Sequence, residues 1–355
     1  MQIDFHHAVT YVIARLAGFS HPKASKVAYA AQYVDDATNS GTIRFDNGAM
    51  YHRISSAHKM LDYRNSKALK NRRVWLPFHF LPGNAGLPPG QAPRGRFHKR
   101  LVCTPNSHIA QDMVRTCIAD KDKPYGLHRL GITMHVYADT WAHQGFAGIN
   151  HKINEATHIR SNDTKATTKL RDKLVNFFLS EAFPLGHGSV LSFPDRPYLI
   201  WSYRNGMGKP VRRNNPKDFI TAADMMCKTM QRWIDGDPEA PAAGLPAADK
   251  KKIGNLFKTI KHEDGDKRHE AWMKKIQAGH FSFGPAKPIY IPKGKGSWKY
   301  KAIGTQEWFD DPDDDPFVYK ESFLTSDWKM FHDALQAHRY DVIHDILPKY
   351  GICAA

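Results

Sequence analysis

The chain is poor in cysteine. Its 355 residues hold 4, at Cys103, Cys117, Cys227 and Cys353. They form no C-x-x-C pair and no disulfide framework, which points to a reduced compartment. Acidic residues are also scarce, 35 against 51 basic ones, and the formal net charge is +16. No apolar run approaches the roughly 20 residues needed to cross a bilayer. The opening stretch "MQIDFHHAVTYVIARLAGFSH" has no basic region ahead of its apolar residues and carries Asp4, His6 and His7 instead. It reads as a helix, not as a signal peptide. The expectation is a chain made in the cytoplasm, with any export by a signal-independent route. The glycine motifs G-x-G-x-x-G, G-x-x-x-x-G-K-[ST] and G-x-S-x-G are missing. That argues against nucleotide-binding α/β folds and α/β-hydrolases.

What is present describes a globular protein, with 41% hydrophobic and 24% charged residues. Apolar spacing predicts helices over residues 5–17, from Pro22 to Asp36, and over 48–62, 105–120, 125–145, 165–183, 217–235, 247–260, 265–277 and 326–347. The Pro/Gly-rich segment 74–100 reads as a loop, and 184–203 as a structured loop or short strands. The fold class is therefore mainly α: a multi-helix core with irregular loop insertions. Two parts are expected. Residues 1–205 form a helical metal-binding core. Residues 206–355 form a helical carboxy-terminal part packed on it, with an irregular excursion at about 281–320. The basic excess, in stretches such as "KALKNRR" and "RGRFHKR", fits a solvated surface or an anionic partner.

The chain has 20 histidines, and histidine is the commonest metal ligand. The stretch "GITMHVYADTWAHQGFAGINHKINEATH" spaces His135, Asp139 and His143 four apart, then His151 and Glu155 four apart. On a helix, residues i and i+4 share a face and can grip one ion. His135 and His143 lie two turns apart, about 12 Å along the axis, too far for one zinc. Two ions with Asp139 between them satisfy the spacing. Asp139 is thus the expected centre of any catalysis. More ligands must come from elsewhere, and the amino-terminal third offers Asp4, His6 or His7, Asp35 or Asp36, and His52 or His58. Further on, "LGHGSVLSFPDRPYLIWSY" holds His187 and Asp195, which could line the pocket or complete a ligand shell.

This order of ligands resembles the zinc-dependent phospholipase C and S1/P1 nuclease superfamily. The resemblance covers residues 4–155. It implies an α-helical fold with two or three zinc ions in a cleft, and hydrolysis of phosphoric esters in an anionic phospholipid or nucleic acid. An antibacterial effector fits such a reading. Carried over, one ion would take Asp35 or Asp36, His52, His135 and Asp139. A second would take His143, His151 and Glu155. A third would take His6 and share Asp139. In the family this third ion also uses the backbone of an amino-terminal Trp, for which Asp4 is the candidate substitute. Two rivals stand beside this reading: an interaction protein with a closed structural metal site, and an HD-type phosphohydrolase using "FHD" (331–333) or "IHD" (343–345).

Overall fold

A computed structural model describes residues 1–57, 68–170, 186–307 and 315–354. The chain is mainly helical, about 54%, with small sheets. A π-helical turn, Asp4–Val9, runs into α1 (Thr10–Ala17), which Gly18 ends in the left-handed conformation. α2 (His21–Asp36) follows, with Pro22 in its first turn. Next come a hairpin, β1 (Gly41–Arg44) and β2 (Met50–Arg53), then α3 (Ala68–Phe78) and the short α4 (His98–Leu101). α5 (His108–Ala119) and α6 (Gly126–Ala142) complete the first half. β3 (Ala156–Ser161), β4 (Ile200–Asn205) and β5 (Pro210–Asn214) make an antiparallel sheet. The second half is α7 (Asn215–Asp235), α8 (Ala247–Thr259), α9 (Gly265–Gln277), α10 (Trp298–Ile303) and α11 (Asp327–Tyr340).

No helix is long and apolar enough to cross a membrane. Residues 205 and 206 lie at the β4–β5 turn, and one hydrophobic cluster takes Phe5, Val12, Met134, Phe219, Met226, Trp272 and Leu347 from both sides of it. The buried Arg268 of α9 ties the two ends of the chain together. Its guanidinium donates to both Asp4 carboxylate oxygens, at 2.6 and 3.1 Å, and to Gln2 Oε1 at 2.7 Å.

Several expectations are corrected. Residues 48–53 are not helical: "DNG" at 46–48 turns the chain, Asn47 Oδ1 accepts from the Ala49 N–H, and Gly48 takes a φ of +84°. A β-hairpin results. The end of that predicted helix, 58–62, lies outside the described residues, as does the 171–183 part of the one placed at 165–183. The segment 74–100 is not all loop, because α3 continues through Pro77 to Phe78. Residues 151–155 form a short 3-10 turn leading into β3, so His151 and Glu155 are not one helical turn apart.

The central pair is α2 and α6. α6 is buried almost all round, its polar His128, Arg129, His135 and Asp139 included. Lys26 and His128 share Asp327, Ala30 faces Gly131, and Ala31 faces His135. Numbers rise together along both helices, so the two run parallel. Gly131 is the closest approach: a Cβ there would sit 2.5 Å from both the Ala30 Cβ and the Val27 carbonyl oxygen. Gly131→Ala should therefore cost about 1–3 kcal/mol through overpacking, although alanine favours helices. Urea unfolding checks this, and an unchanged or raised stability contradicts the close approach.

Candidate metal centre

The parallel register carries the carboxy-terminal end of α2 alongside the second half of α6. It brings Asp35 next to His135 and Asp139. Three other segments converge on the same place: the amino-terminal turn with Met1 and His6, the residue after α3, His79, and the loop holding His187 and Asp195. Asp139 is the hub, at 1% exposure. Its Oδ2 lies 3.4 Å from His135 Nε2, 3.6 Å from His143 Nδ1 and 3.7 Å from His79 Nδ1. Its Oδ1 lies 3.3 Å from His6 Nε2 and accepts from the Met1 amino group, which is also 3.4 Å from Asp195 Oδ1. Asp35 Oδ1 is 3.8 Å from both His79 Nδ1 and His135 Nε2. Asp195 faces His143 Nε2 at 3.5 Å and His187 Nε2 at 3.7 Å.

Backbone carbonyls decide where the imidazole protons sit. His135 Nδ1 lies 2.8 Å from the Ala31 oxygen, His79 Nε2 2.9 Å from that of Ser56, His143 Nδ1 2.7 Å from that of His79, and His187 Nδ1 2.6 Å from that of Leu191. A carbonyl oxygen only accepts, so each of these nitrogens carries the proton and donates. The other nitrogen of each ring is turned inward and, in the neutral form, presents a lone pair. For His135 Nε2 and His79 Nδ1 the two lone pairs meet head-on at 3.2 Å. A cation between the two nitrogens relieves the contact. Two nitrogens bonded to one tetrahedral ion at about 2.0–2.1 Å stand about 3.3 Å apart. His6 supports this further, since both its ring nitrogens are buried without a hydrogen-bond partner. Buried polar atoms normally have partners.

The electrostatics keep the ligands in liganding form. Burial, reinforced by the Met1 ammonium, lowers the His6 pKa to about 4. Burial and the neighbouring His6 lower His135 to about 4. Burial also lowers His187 to about 4, against the pull of Asp195. These rings are neutral near pH 7, as metal ligands must be. Burial alone would raise the Asp139 carboxyl, but His143, the Met1 ammonium, His135 and His6 hold it well below the usual carboxylate range. Asp195 is likewise held down, against burial, by the Met1 ammonium and His187.

Among the described residues, three sets of ligand atoms lie close enough to hold an ion: His6, Asp35 and His135; His79, His135 and Asp139; and His143, His187 and Asp195. His135 and His143 fall in different sets, and Asp139 stands between them. The residues gathered around His135 are Asp35 and His79, not Asp36 and His52. Asp36 accepts instead from the Tyr290 hydroxyl and from Gln32. His52 is exposed on β2, beside Thr42 at 3.2 Å. His58 lies outside the described residues.

The second set takes His187 and Asp195, not His151 and Glu155. Once the chain leaves α6 at His143, His151 turns to accept from the Ile153 N–H and to stack on His98, and Glu155 is exposed. Asp4 belongs to Arg268. His7 points away from His6 to meet His269 at 2.8 Å. The position anticipated for Asp4 is taken by the Met1 amino group. His79 was missed because it follows a proline in a stretch with loop composition. Its one signal was a histidine set between Phe78 and Phe80 in "LPFHFLPG". The "FHD" and "IHD" pairs do not join the centre. His332 packs on Trp328, Asp333 accepts from Tyr51, and His344 and Asp345 are exposed.

The sequence profile described as "Family of unknown function (DUF6765)" matches residues 1–346, and the chain belongs to that family. No curated protein and no solved structure matches it.

Elemental analysis of the purified protein discriminates between the two ligand sets. His79→Ala and His187→Ala should each lower the divalent metal bound per chain, while His52→Ala and His151→Ala leave it unchanged. Loss of metal in the latter pair contradicts the assignment.

Proposed function

We propose that this member of the DUF6765 family is a metal-dependent hydrolase of phosphoric esters, with zinc as the ion and an anionic phosphodiester, in a phospholipid or a nucleic acid, as the substrate. The observation that carries the reading is the opposed pair of lone pairs at His135 Nε2 and His79 Nδ1, 3.2 Å apart and flanked by Asp139 and Asp35. Sets of two histidines and one carboxylate suit zinc. The superfamily that the sequence resembles also relies on histidine and aspartate ligands, which supports the reading, although His52, His151 and Glu155 lie outside the cluster.

A divalent ion in such a centre supplies Lewis acidity, making hydroxide available near neutral pH and offsetting charge on a phosphoryl group. The chain's own residues supply the rest. The carbonyls of Ala31, Ser56, His79 and Leu191 lock the histidine rings, which raises their basicity and fixes their aim. Asp35 is about a third exposed and His187 a fifth, whereas Asp139 and His6 are sealed. The centre therefore has an open side, at Asp35 and His187, by which a substrate phosphate can approach. A closed structural site would not need one. Half-buried Trp75, its ring 5.2 Å from that of His79, offers an apolar wall next to the ligand set. The net charge of +16 favours encounter with an anionic substrate.

The test is turnover of bis(p-nitrophenyl) phosphate by the metal-replete protein. A chelator should abolish it and added zinc restore it. Asp139→Asn should lower it by at least about 100-fold, since even the outer partners of metal ligands are worth 10–100-fold. Bound metal without turnover on any phosphodiester, at full occupancy, would assign the centre a structural role instead.

A further inference from the structure

At the end of the α2–α6 pair remote from the metal centre lies a second cavity, of about 600 Å³. Both helices begin there. Ser20, the N-cap of α2, lines it, as does Pro124, just ahead of α6. Neither N-cap residue, Ser20 or Tyr125, makes a side-chain cap. The positive ends of two parallel helix dipoles therefore address one space, although Pro22 has no N–H and that of Gly126 donates to the Lys123 carbonyl.

Lysines reinforce that field. Lys23, Lys26, Lys121 and Lys123 are all wall residues, with Asp122 the acidic member. Lys26 is matched by Asp327 at 2.7 Å. The remaining three lysines outnumber the single aspartate. Two wall residues also hold unmet polar atoms. His128, 2% exposed, gives its Nε2–H to Asp327, and its Nδ1 is buried without a partner. The indole Nε1 of Trp233 is buried without a partner as well. An indole N–H can only donate, so it calls for an acceptor such as an anionic oxygen. The imidazole Nδ1 calls for a donor, such as the hydroxyl of a partly protonated phosphate or of a sugar.

We propose that this cavity is a binding site for a di- or polyphosphate group. Its volume suits a small ligand. Convergent helix N-termini and lysine point charges form the arrangement that holds phosphates. One carboxylate would leave most of that charge unmatched. The group is supplied either by an inorganic polyphosphate or by a nucleotide. The site is separate from the metal centre, since Lys23 and Asp35 lie about 18 Å apart along α2 at 1.5 Å per residue. It stands whether or not the hydrolase reading does.

The experiment is calorimetric titration of chelator-treated protein with inorganic pyrophosphate and, separately, with ADP, against sulfate at matched ionic strength. Chelation removes any contribution from the metal centre. Saturable one-to-one binding is expected for at least one of the two, and the tighter one identifies the source. Lys23→Gln with Lys123→Gln should weaken it by at least about tenfold, the loss of one good charge-assisted contact. Lys209→Gln with Lys217→Gln, the same charge change elsewhere, should leave affinity within about twofold. The exposed Lys123→Gln alone should give an intermediate loss, which keeps the test open if the double variant folds poorly. No saturable binding of either ligand, or equal weakening by both double variants, overturns the proposal.

Discussion

The structure depends on one constraint. Imidazole nitrogens and carboxylates are packed around the sealed Asp139, with only Asp35 and His187 partly exposed. Burying such groups is costly unless something answers their charge. Hydrogen bonds to backbone carbonyls orient the outer nitrogens of His135, His79, His143 and His187, so in the neutral rings the inner nitrogens have no proton to share. The Met1 ammonium answers part of the negative charge, between Asp139 and Asp195. The opposed pair at 3.2 Å, and the lone-pair nitrogen of His6, are left for cations.

The scaffold exists to hold this arrangement still. Parallel packing of α2 on α6 sets Asp35 against His135, and it requires a glycine at 131 because the backbones approach too closely for a Cβ. The amino-terminal turn carrying Met1 and His6 is anchored from the far end of the sequence by Arg268, through Asp4 and Gln2. α11 steadies the other side, where His338 Nε2 donates to the Pro77 carbonyl just before His79. These long-range ties explain why one hydrophobic cluster draws on both halves of the chain. The same α2–α6 pair gathers its two positive helix ends at the opposite pole, where Lys23, Lys121 and Lys123 line a cavity.

How much of this the sequence revealed follows from how local each signal is. Helices with apolar stripes, such as α1, α2, α7 and α9, are legible from spacing alone. So is the triplet His135, Asp139 and His143, because one helix dictates its geometry. His6 and Asp35 were reachable as candidates, though not separable from His7 and Asp36: adjacent residues on a helix look alike until their neighbours are known. Here Tyr290 claims Asp36 and His269 claims His7. His52 and His151 misled because ligand spacing was extended past the ends of helices. A D-N-G turn made a hairpin of one segment, and the other leaves α6 for a 3-10 turn and a strand. His79 lies two residues after Pro77, just past the end of α3, in a stretch whose Pro/Gly composition reads as loop and where periodicity carries no information about direction.

The most direct measurement is an anomalous difference map from crystals of the metal-replete protein, collected above and below the absorption edge of the bound element. The account predicts peaks at bonding distance, about 2.0–2.2 Å for zinc, from Asp35, His79, His135 and Asp139, and from His143, His187 and Asp195. A replete crystal with no peak near Asp139, and with His135 Nε2 and His79 Nδ1 bridged by a proton or a water, would contradict it.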